Sequence, residues 1–187
     1  MLSRLMNDHK HIAVLLNLLK AKYQKLSDGE RVNFCLVRDV VEYMQEYAEH
    51  SHHPVEDIVY AYYVEKFAKD ESTKRLSEEH HKVVAASAAL AATLNLILND
   101  IVVAKEQLVQ ELRDYVTLQE QHMLYEEDYI FPKLQRELTD DDWAQIQQSC
   151  AQQLVEDPLF SSDDQTFDEL RQYIQTVDPA SAVNLQH

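Results

Sequence analysis

The sequence predicts an all-α protein: an up-down-up-down four-helix bundle, built as a duplicated helical hairpin and followed by short C-terminal helices. Three observations favour this class. The 187 residues include one glycine and four prolines, fewer than a sheet protein with tight turns needs. Apolar residues recur at steps of three and four over long stretches. Polar landmarks repeat at a spacing too long for a solenoid unit, which fits a repeated hairpin.

The first predicted helix covers residues 3–25. One imidazole interrupts its apolar stripe, which consists of Leu5, His9, Ile12, Leu16, Leu19 and Tyr23. A polar turn follows at residues 27–30, where Gly29 suits the left-handed position that ends many helices.

The second predicted helix begins near Arg31 and leads to His52 and Glu56. Its apolar face carries Phe34, Val37, Val41, Met44 and Ala48. Pro54 lies between the two polar landmarks and removes one backbone hydrogen-bond donor, so we expect a kink there. Beyond the kink the helix is expected to continue through Tyr63.

The second hairpin repeats this design. The third predicted helix covers residues 73–98 and has a stripe of Leu76, His80, Val83, Ser87, Leu90, Leu94 and Ile97. Its alanine-rich part, residues 85–92, is expected to pack closely against a neighbour. After a turn at residues 99–100, the fourth helix covers residues 102–131. Its inner face carries Leu108, Leu112, Tyr115, His122, Glu126 and Ile130. Pro132 marks the end of this helix or a late kink.

We expect two regions in the chain. Residues 1–136 form the bundle, and residues 137–187 form a helical C-terminal extension that packs on its outside. In the extension, residues 139–142 suit the start of a short helix that runs through Cys150. A further short helix is expected at residues 164–176, and the tail beyond it is expected to fray.

The net charge of −16, from 33 acids and 17 bases, opposes binding to nucleic acid or to an anionic membrane, and we predict neither partner. No apolar leader opens the chain, and no apolar run is expected to span a bilayer. Cys35 and Cys150 do not make a disulfide framework, and Cys35 is expected to be buried. The expected location is the cytoplasm. The oligomeric state stays open, with a homodimer as one expectation.

Two His-x-x-x-Glu elements carry the functional signal. His52 and His122 lie 70 positions apart, as do Glu56 and Glu126. Residues four apart share a helix face, so an imidazole and a carboxylate can hold one metal together. Antiparallel packing brings early positions on helices one and three beside these late positions on helices two and four. The candidate metal ligands are His9, His52, Glu56, His80, His122 and Glu126.

Six such groups on core-facing stripes require partners, because burying a lone charge is costly. A polar core network is one explanation and a metal is another. Recurrence in register favours a metal. Two carboxylates shared between two cations match a dinuclear site in a bundle core. Imidazole and carboxylate ligands suit iron, manganese or zinc, and the lack of thiolates among them opposes an iron–sulfur centre.

Other polar residues adjoin these candidates. Four acids either accept hydrogen bonds from ligating histidines or form a solvated face: Asp8, Asp57, Glu79 and Glu127. Four further histidines are expected on the surface or behind the ligands: His11, His50, His53 and His81. If the helix register differs, His53 or His81 is the most credible substitute.

The ordered set of motifs resembles the hemerythrin-like (HHE cation-binding) family over about residues 1–136. The matching motifs are Asp8-His9, His52-x-x-x-Glu56, Glu79-His80 and His122-x-x-x-Glu126, followed by Glu127 and Phe131-Pro132. The resemblance implies a bundle with a non-haem di-iron centre that handles O₂ or related small diatomics. It also implies that the four histidines are terminal ligands and that the two glutamates bridge the irons.

Two positions depart from the oxygen-carrying members of the family. The resemblance implies that those members have a further histidine four residues after the third-helix ligand. This chain has Val84 at that position and Ala13 at the equivalent position on the first helix. The chain thus resembles a four-His, two-Glu subgroup with a more open centre. That favours reactivity with peroxide or NO, or iron donation for repair, over simple oxygen carriage. A water or one tyrosine is a candidate for the gap: Tyr47, Tyr125 or Tyr129.

Two other functions compete with this interpretation, and the sequence leaves open whether the chain is an enzyme. One is a non-catalytic metal or gas sensing module that uses the C-terminal extension. The other is a ferritin-like di-metal oxidase, whose bundle uses Glu-x-x-His pairs. Glu49-x-x-His52 and Glu78-x-x-His81 have that spacing, but the fourth helix offers Gln119, a poor bridging ligand.

Overall fold

The computed structural model of the chain describes residues 1–67, 71–160 and 165–177. These residues form helices without any strand, which confirms the all-α class. The elements are α1 (Leu2–Ser27), α2 (Phe34–Tyr43), a first π-helical segment (Met44–His52), α3 (His53–Phe67), α4 (Glu71–Leu98), α5 (Lys105–Tyr125), a second π-helical segment (Glu126–Ile130), α6 (Phe131–Glu137), α7 (Asp140–Ser149), a 3₁₀ turn (Gln165–Phe167) and α8 (Asp168–Val177).

Four long helical rods make the bundle. The first and third are α1 and α4. The second rod is α2, the first π segment and α3 in sequence, and the fourth is α5, the second π segment and α6. α1 packs along α5 and against α2, α2 packs against α4, and α4 packs against α5. Each rod therefore has neighbours on both sides, as expected for a four-helix bundle.

The two hairpins end their first helices in the same way. Gly29 has a φ of 81° and Asp100 a φ of 60°, the left-handed region. The amide of Gly29 donates to Leu26 O at 3.1 Å, and that of Asp100 donates to Ile97 O at 3.1 Å. The amide of the following residue donates five residues back: Glu30 to Lys25 O and Ile101 to Leu96 O, each at 2.9 Å. This is the Schellman pattern, and its recurrence supports the duplication.

Both prolines of the long rods follow a π segment. The amide of His53 donates to Ala48 O, and the amide of Phe131 donates to Glu126 O, each five residues back. The next residue is Pro54 in one rod and Pro132 in the other, and neither has an N–H to donate. The helix therefore widens before each proline instead of ending. Pro132 does not close the fourth rod, which continues as α6.

The candidate ligands lie between two apolar cores. One core contains Ile12, Ala48, Leu90 and Met123, together with residues of α2 and α8. The other contains Leu5, Val55, Leu76 and Ile130, together with residues of α6 and α7. Every rod thus contributes apolar side chains on both sides of its polar residues, which fixes the polar layer inside the bundle.

Several side chains of the C-terminal extension contact the bundle. Thr139 accepts from the Asp142 amide while the Asp142 carboxylate accepts from the Thr139 amide, a capping box that begins α7. Asp142 also accepts hydrogen bonds from Tyr62 and Lys66 on α3. Further along, Asp157 accepts from the Tyr43 hydroxyl at 2.9 Å. The division at residue 136 stays a prediction, and residues 161–164 and 178–187 lie outside the described chain.

Three expectations need correction. Cys35 is exposed, because the start of α2 turns this side chain away from the core. The alanine-rich part of α4 is only half covered: Ala86 and Ala91 pack on the core, whereas Ala88 is exposed. Residues Arg75–Leu98 of α4 are long and apolar enough to cross a membrane by length and composition, contrary to expectation, although a core helix of a soluble protein passes the same test.

Candidate metal centre

Six predicted residues meet in one buried layer of the bundle. Their exposed fractions range from 0% for both glutamates to 5% for His80. The six are His9 on α1, His52 at the end of the first π segment, Glu56 on α3, His80 on α4, His122 on α5 and Glu126 at the start of the second π segment. The structure therefore brings together every ligand that the sequence proposes.

Glu56 faces histidines with both of its oxygens. Oε1 lies 3.4 Å from His52 Nε2 and 3.7 Å from His9 Nε2. Oε2 lies 3.4 Å from His80 Nε2. One carboxylate thus has an imidazole nitrogen on each side, the arrangement that a bridging ligand needs.

Glu126, on the fourth rod, shares His9 and His80 with Glu56 and also faces His122. Oε2 is 3.4 Å from His9 Nε2 and 3.5 Å from His122 Nε2, and Oε1 is 3.9 Å from His80 Nε2. Oε1 also accepts a hydrogen bond of 2.7 Å from the buried hydroxyl of Tyr60. Tyr60 was not among the site residues predicted from the sequence, although it lies four residues after Glu56 on the same helix face.

A carboxylate supports the outer nitrogen of each histidine. His9 Nδ1 lies 2.8 Å from Glu127, and His52 Nδ1 lies 3.2 Å from Asp8. The same contact joins His80 to Asp57 at 2.9 Å and His122 to Glu79 at 3.3 Å. The sequence left open whether these four acids accept hydrogen bonds from the histidines or form a solvated face, and the structure shows the hydrogen bonds. Nδ1–H donates outward to a carboxylate in each case, so Nε2 is the nitrogen that faces the two glutamates.

Several buried atoms of the layer have no hydrogen-bond partner among the described residues. They are His9 Nε2, His80 Nε2, His122 Nε2, both oxygens of Glu56 and Glu126 Oε2. Buried polar atoms are normally paired, and leaving one unpaired costs about 1–3 kcal/mol. Imidazole nitrogens and carboxylate oxygens that converge without hydrogen bonds among the described residues fit a cation, so the residues present suit a metal.

His53 joins this layer, contrary to the expectation that it lies on the surface or behind the ligands. It is 4% exposed, and its ring stacks on His80 with centroids 4.4 Å apart. Ligand atoms of His53, Glu56, His80 and His122 lie within 4.8 Å of one another, and a second such group is His9, His52 and Glu56. Adjacent residues normally point to different faces, so spacing alone gives no signal for His53.

The charges of the layer balance within it. Burial lowers the pKa of His9 and His80, but hydrogen bonds and charge from nearby carboxylates outweigh this effect and raise the pKa values to about 11 and about 12. Burial raises the pKa of Glu56 and Glu126, but the imidazoles hold both well below the usual range. Burial and the neighbouring His80 lower the pKa of His53. Cations in the layer would replace the imidazole protons.

The remaining sequence candidates lie elsewhere. His81 is exposed and donates from Nδ1 to Ser77 O, and Glu78 is exposed, so this Glu-x-x-His pair does not face the layer. Tyr47 donates to Asp8 at 3.1 Å rather than reaching the glutamates. Tyr129 is 66% exposed. The ring of Tyr125 packs against that of Tyr129, with centroids 5.5 Å apart. Among the described residues, the tyrosine that hydrogen-bonds to a proposed ligand is Tyr60, which is not one of the three candidates from the sequence.

The fold and the layer together define a helical-bundle protein with a histidine and carboxylate cluster suited to metal cations. The family model of the hemerythrin HHE cation binding domain matches residues 1–134. The chain therefore belongs to that family, as the motif order predicts. No curated protein and no solved structure matches the chain significantly.

Proposed function

We propose that this chain is a non-haem di-iron protein that binds or reacts with O₂, peroxide or NO. The proposed ligands are His9, His52, Glu56, His80, His122 and Glu126. One observation carries the proposal: imidazole nitrogens from all four rods converge on two fully buried carboxylates, three of whose four oxygens have no hydrogen-bond donor among the described residues. A structural polar network would supply those donors, so it accounts less well for the layer.

Two ions are favoured over one by the position of Glu56. Its Oε1 lies near His9 and His52, and its Oε2 lies near His80. The two candidate ligand groups share this glutamate. A carboxylate that is held in common supports a bridged pair.

Iron is favoured by the donor set, with manganese or zinc as alternatives. Imidazole and carboxylate suit all three metals, and thiolates are missing from the layer. Cys35 is exposed and Cys150 lies in the apolar core beside α6 and α7, so neither sulfur reaches the ligands. A bound iron pair would supply reversible electron transfer to a small molecule.

The protein's own groups would set the properties of that centre. The four outer carboxylates accept from Nδ1–H and orient the imidazoles, so that each Nε2 faces the glutamates and can bind a metal that displaces its proton. Tyr60 donates to Glu126 and fixes that carboxylate. His53 adds a fifth imidazole on the side of His80 and His122.

Rapid mixing of iron-loaded protein with peroxide, O₂ or NO tests this function. We expect an absorption change that saturates with ligand and that is lost in Glu126→Ala. Glu106→Ala, at an exposed position of the same helix, serves as the matched control. An iron-loaded protein that stays unchanged with all three molecules would refute the proposed reactivity.

A sensing module is the second candidate, because the C-terminal extension contacts the layer indirectly. Arg4 donates to Val155 O at 2.5 Å and lies 4.0 Å from Asp8, which supports His52. A change at the metal site can therefore be transmitted to the extension through the side chains of Asp8 and Arg4. Limited proteolysis of the extension with and without metal tests this alternative, and identical cleavage in both states contradicts it.

A further inference from the structure

A cleft of about 420 Å³ lies between α1 and α5, beside the ligand layer. Its apolar lining comes from Ala13 and Leu16 on α1 and from Met123 and Leu124 on α5, and its polar lining includes Asn17 and Glu120. Leu124 is 56% exposed, so the cleft is open to solvent on that side. The candidate ligands explain the buried layer but leave this α1–α5 cleft without a role.

The inner end of the cleft reaches the proposed metal centre. His9 and Glu127 line it, and they are joined by the 2.8 Å hydrogen bond described above. His9 turns its Nε2 toward Glu126 and Glu56, so its other ring edge faces away from the two glutamates. A molecule in the cleft would therefore touch Glu127, the group that orients a proposed ligand.

The dimensions and chemistry of the cleft point to an organic occupant. A single water has a share of about 30 Å³ in the liquid, and a diatomic needs no cleft of this size. Small-molecule pockets have volumes of about 300–1,000 Å³, with mainly apolar walls and a few polar groups. Here the polar lining residues include Lys10, whose ammonium can donate, and Glu127, whose carboxylate can accept.

We propose that the α1–α5 cleft binds a small organic molecule with an apolar body and one hydrogen-bonding end, the chemistry of an organic hydroperoxide. The choice of a hydroperoxide rests on the proposed peroxide reactivity, whereas the binding site itself does not. The apolar body lies against Leu16 and Met123, and the oxygen end lies near Glu127 and Lys10.

Binding is tested on the metal-free protein with cumyl alcohol, the unreactive alcohol of cumene hydroperoxide. The reporter is the ¹³C-labelled methyl group of Met123, and Met44, buried in the core, is the internal reference. We expect a saturable shift of Met123 alone. A wild-type protein without a saturable Met123 shift would overturn the proposal.

Two substitutions sharpen the test. Ala13→Phe fills the cleft and should weaken cumyl alcohol binding about tenfold or more, because its ring takes the space of the probe. Ala21→Phe makes the same change on the exposed side of α1 and should leave binding unchanged. Leu124→Ser removes an exposed wall and should also weaken binding, which covers the case of an unfolded Ala13→Phe. Equal affinities in all three variants contradict the assignment.

Reactivity separates this proposal from the proposed function. In iron-loaded protein, Ala13→Phe should slow the reaction with cumene hydroperoxide and leave the reaction with hydrogen peroxide unchanged, at the iron content of Ala21→Phe. Equal slowing with both peroxides overturns the cleft as a hydroperoxide site. Inertness of the wild type toward both refutes the proposed peroxide reactivity, while the methyl titration still decides whether the cleft binds its probe.

Discussion

Tyr60 offers a sharp test of how the layer holds its carboxylates. The buried hydroxyl donates to Glu126 Oε1 at 2.7 Å, and Tyr60→Phe removes only this donor. A hydrogen bond to a charged group contributes about 1.5–3 kcal/mol. For a chain of this size, 1 kcal/mol shifts the Tm by about 2–4 °C, so the metal-free variant should melt about 3–12 °C lower.

The same substitution should weaken metal binding. Groups that orient ligands typically change metal affinity by about 10- to 100-fold, and Glu126 loses its only hydroxyl donor among the described residues. Competition with a chromophoric chelator measures the affinity, and circular dichroism measures the Tm.

Tyr63→Phe is the matched control for this prediction. Tyr63 lies on the same helix and donates to Glu137 on α6, outside the layer. Its loss should leave metal affinity unchanged. If Tyr60→Phe and Tyr63→Phe bind metal equally well, the assigned role of the Tyr60 hydroxyl is wrong.

Three further predictions follow from the structure. Metal binding should weaken as pH falls, by up to about 100-fold per pH unit, because ions displace protons from His9 and His80, whose pKa values are raised; chelator competition at several pH values checks this, and a flat profile contradicts it. In the metal-free protein the same two imidazoles contribute stability that is fully present below about pH 6.5 and is lost as pH rises toward 11, so urea unfolding at pH 6 and pH 10 should show a lower free energy of unfolding at the higher pH. Thr139→Ala should lower the free energy of unfolding by about 1 kcal/mol through loss of the α7 cap, and an unchanged denaturation midpoint would show that α7 does not contribute to global stability.

Side-chain spacing was sufficient to predict the rods and the six buried candidates. His52 and Glu56 lie four residues apart, and the apolar stripes on both sides of them determine which face turns inward. The turns at Gly29 and Asp100 were also accessible, since both positions require a left-handed backbone that few residues adopt readily.

The spacing of apolar and polar residues did not predict the π-helical segments. A helix advances about 100° per residue, so steps of four drift by about 40° each. His122, Glu126, Ile130 and Leu134 are nevertheless all buried, because the wider turn at Glu126–Ile130 restores the register. The first π segment acts on the second rod in the same way, and there it turns His53 inward beside His52. Prolines indicate an interruption, but they do not say whether the helix widens or breaks.

The solvent exposure of residues at the ends of helices could not be predicted from the sequence either. The apolar residues around Cys35 favour burial, yet this residue lies at the exposed start of α2. Burial there depends on which side of the helix meets α4, a tertiary property that a short apolar run does not encode.

The account's central claim is that two metal ions share Glu56 and Glu126. Metal content per chain after reconstitution with ferrous iron, measured by mass spectrometry alongside helical content, tests it most directly. The account predicts two irons in the wild type and in Glu106→Ala, with loss of the iron pair and intact helices in Glu56→Ala and Glu126→Ala. Two irons retained in both of the latter variants would contradict it.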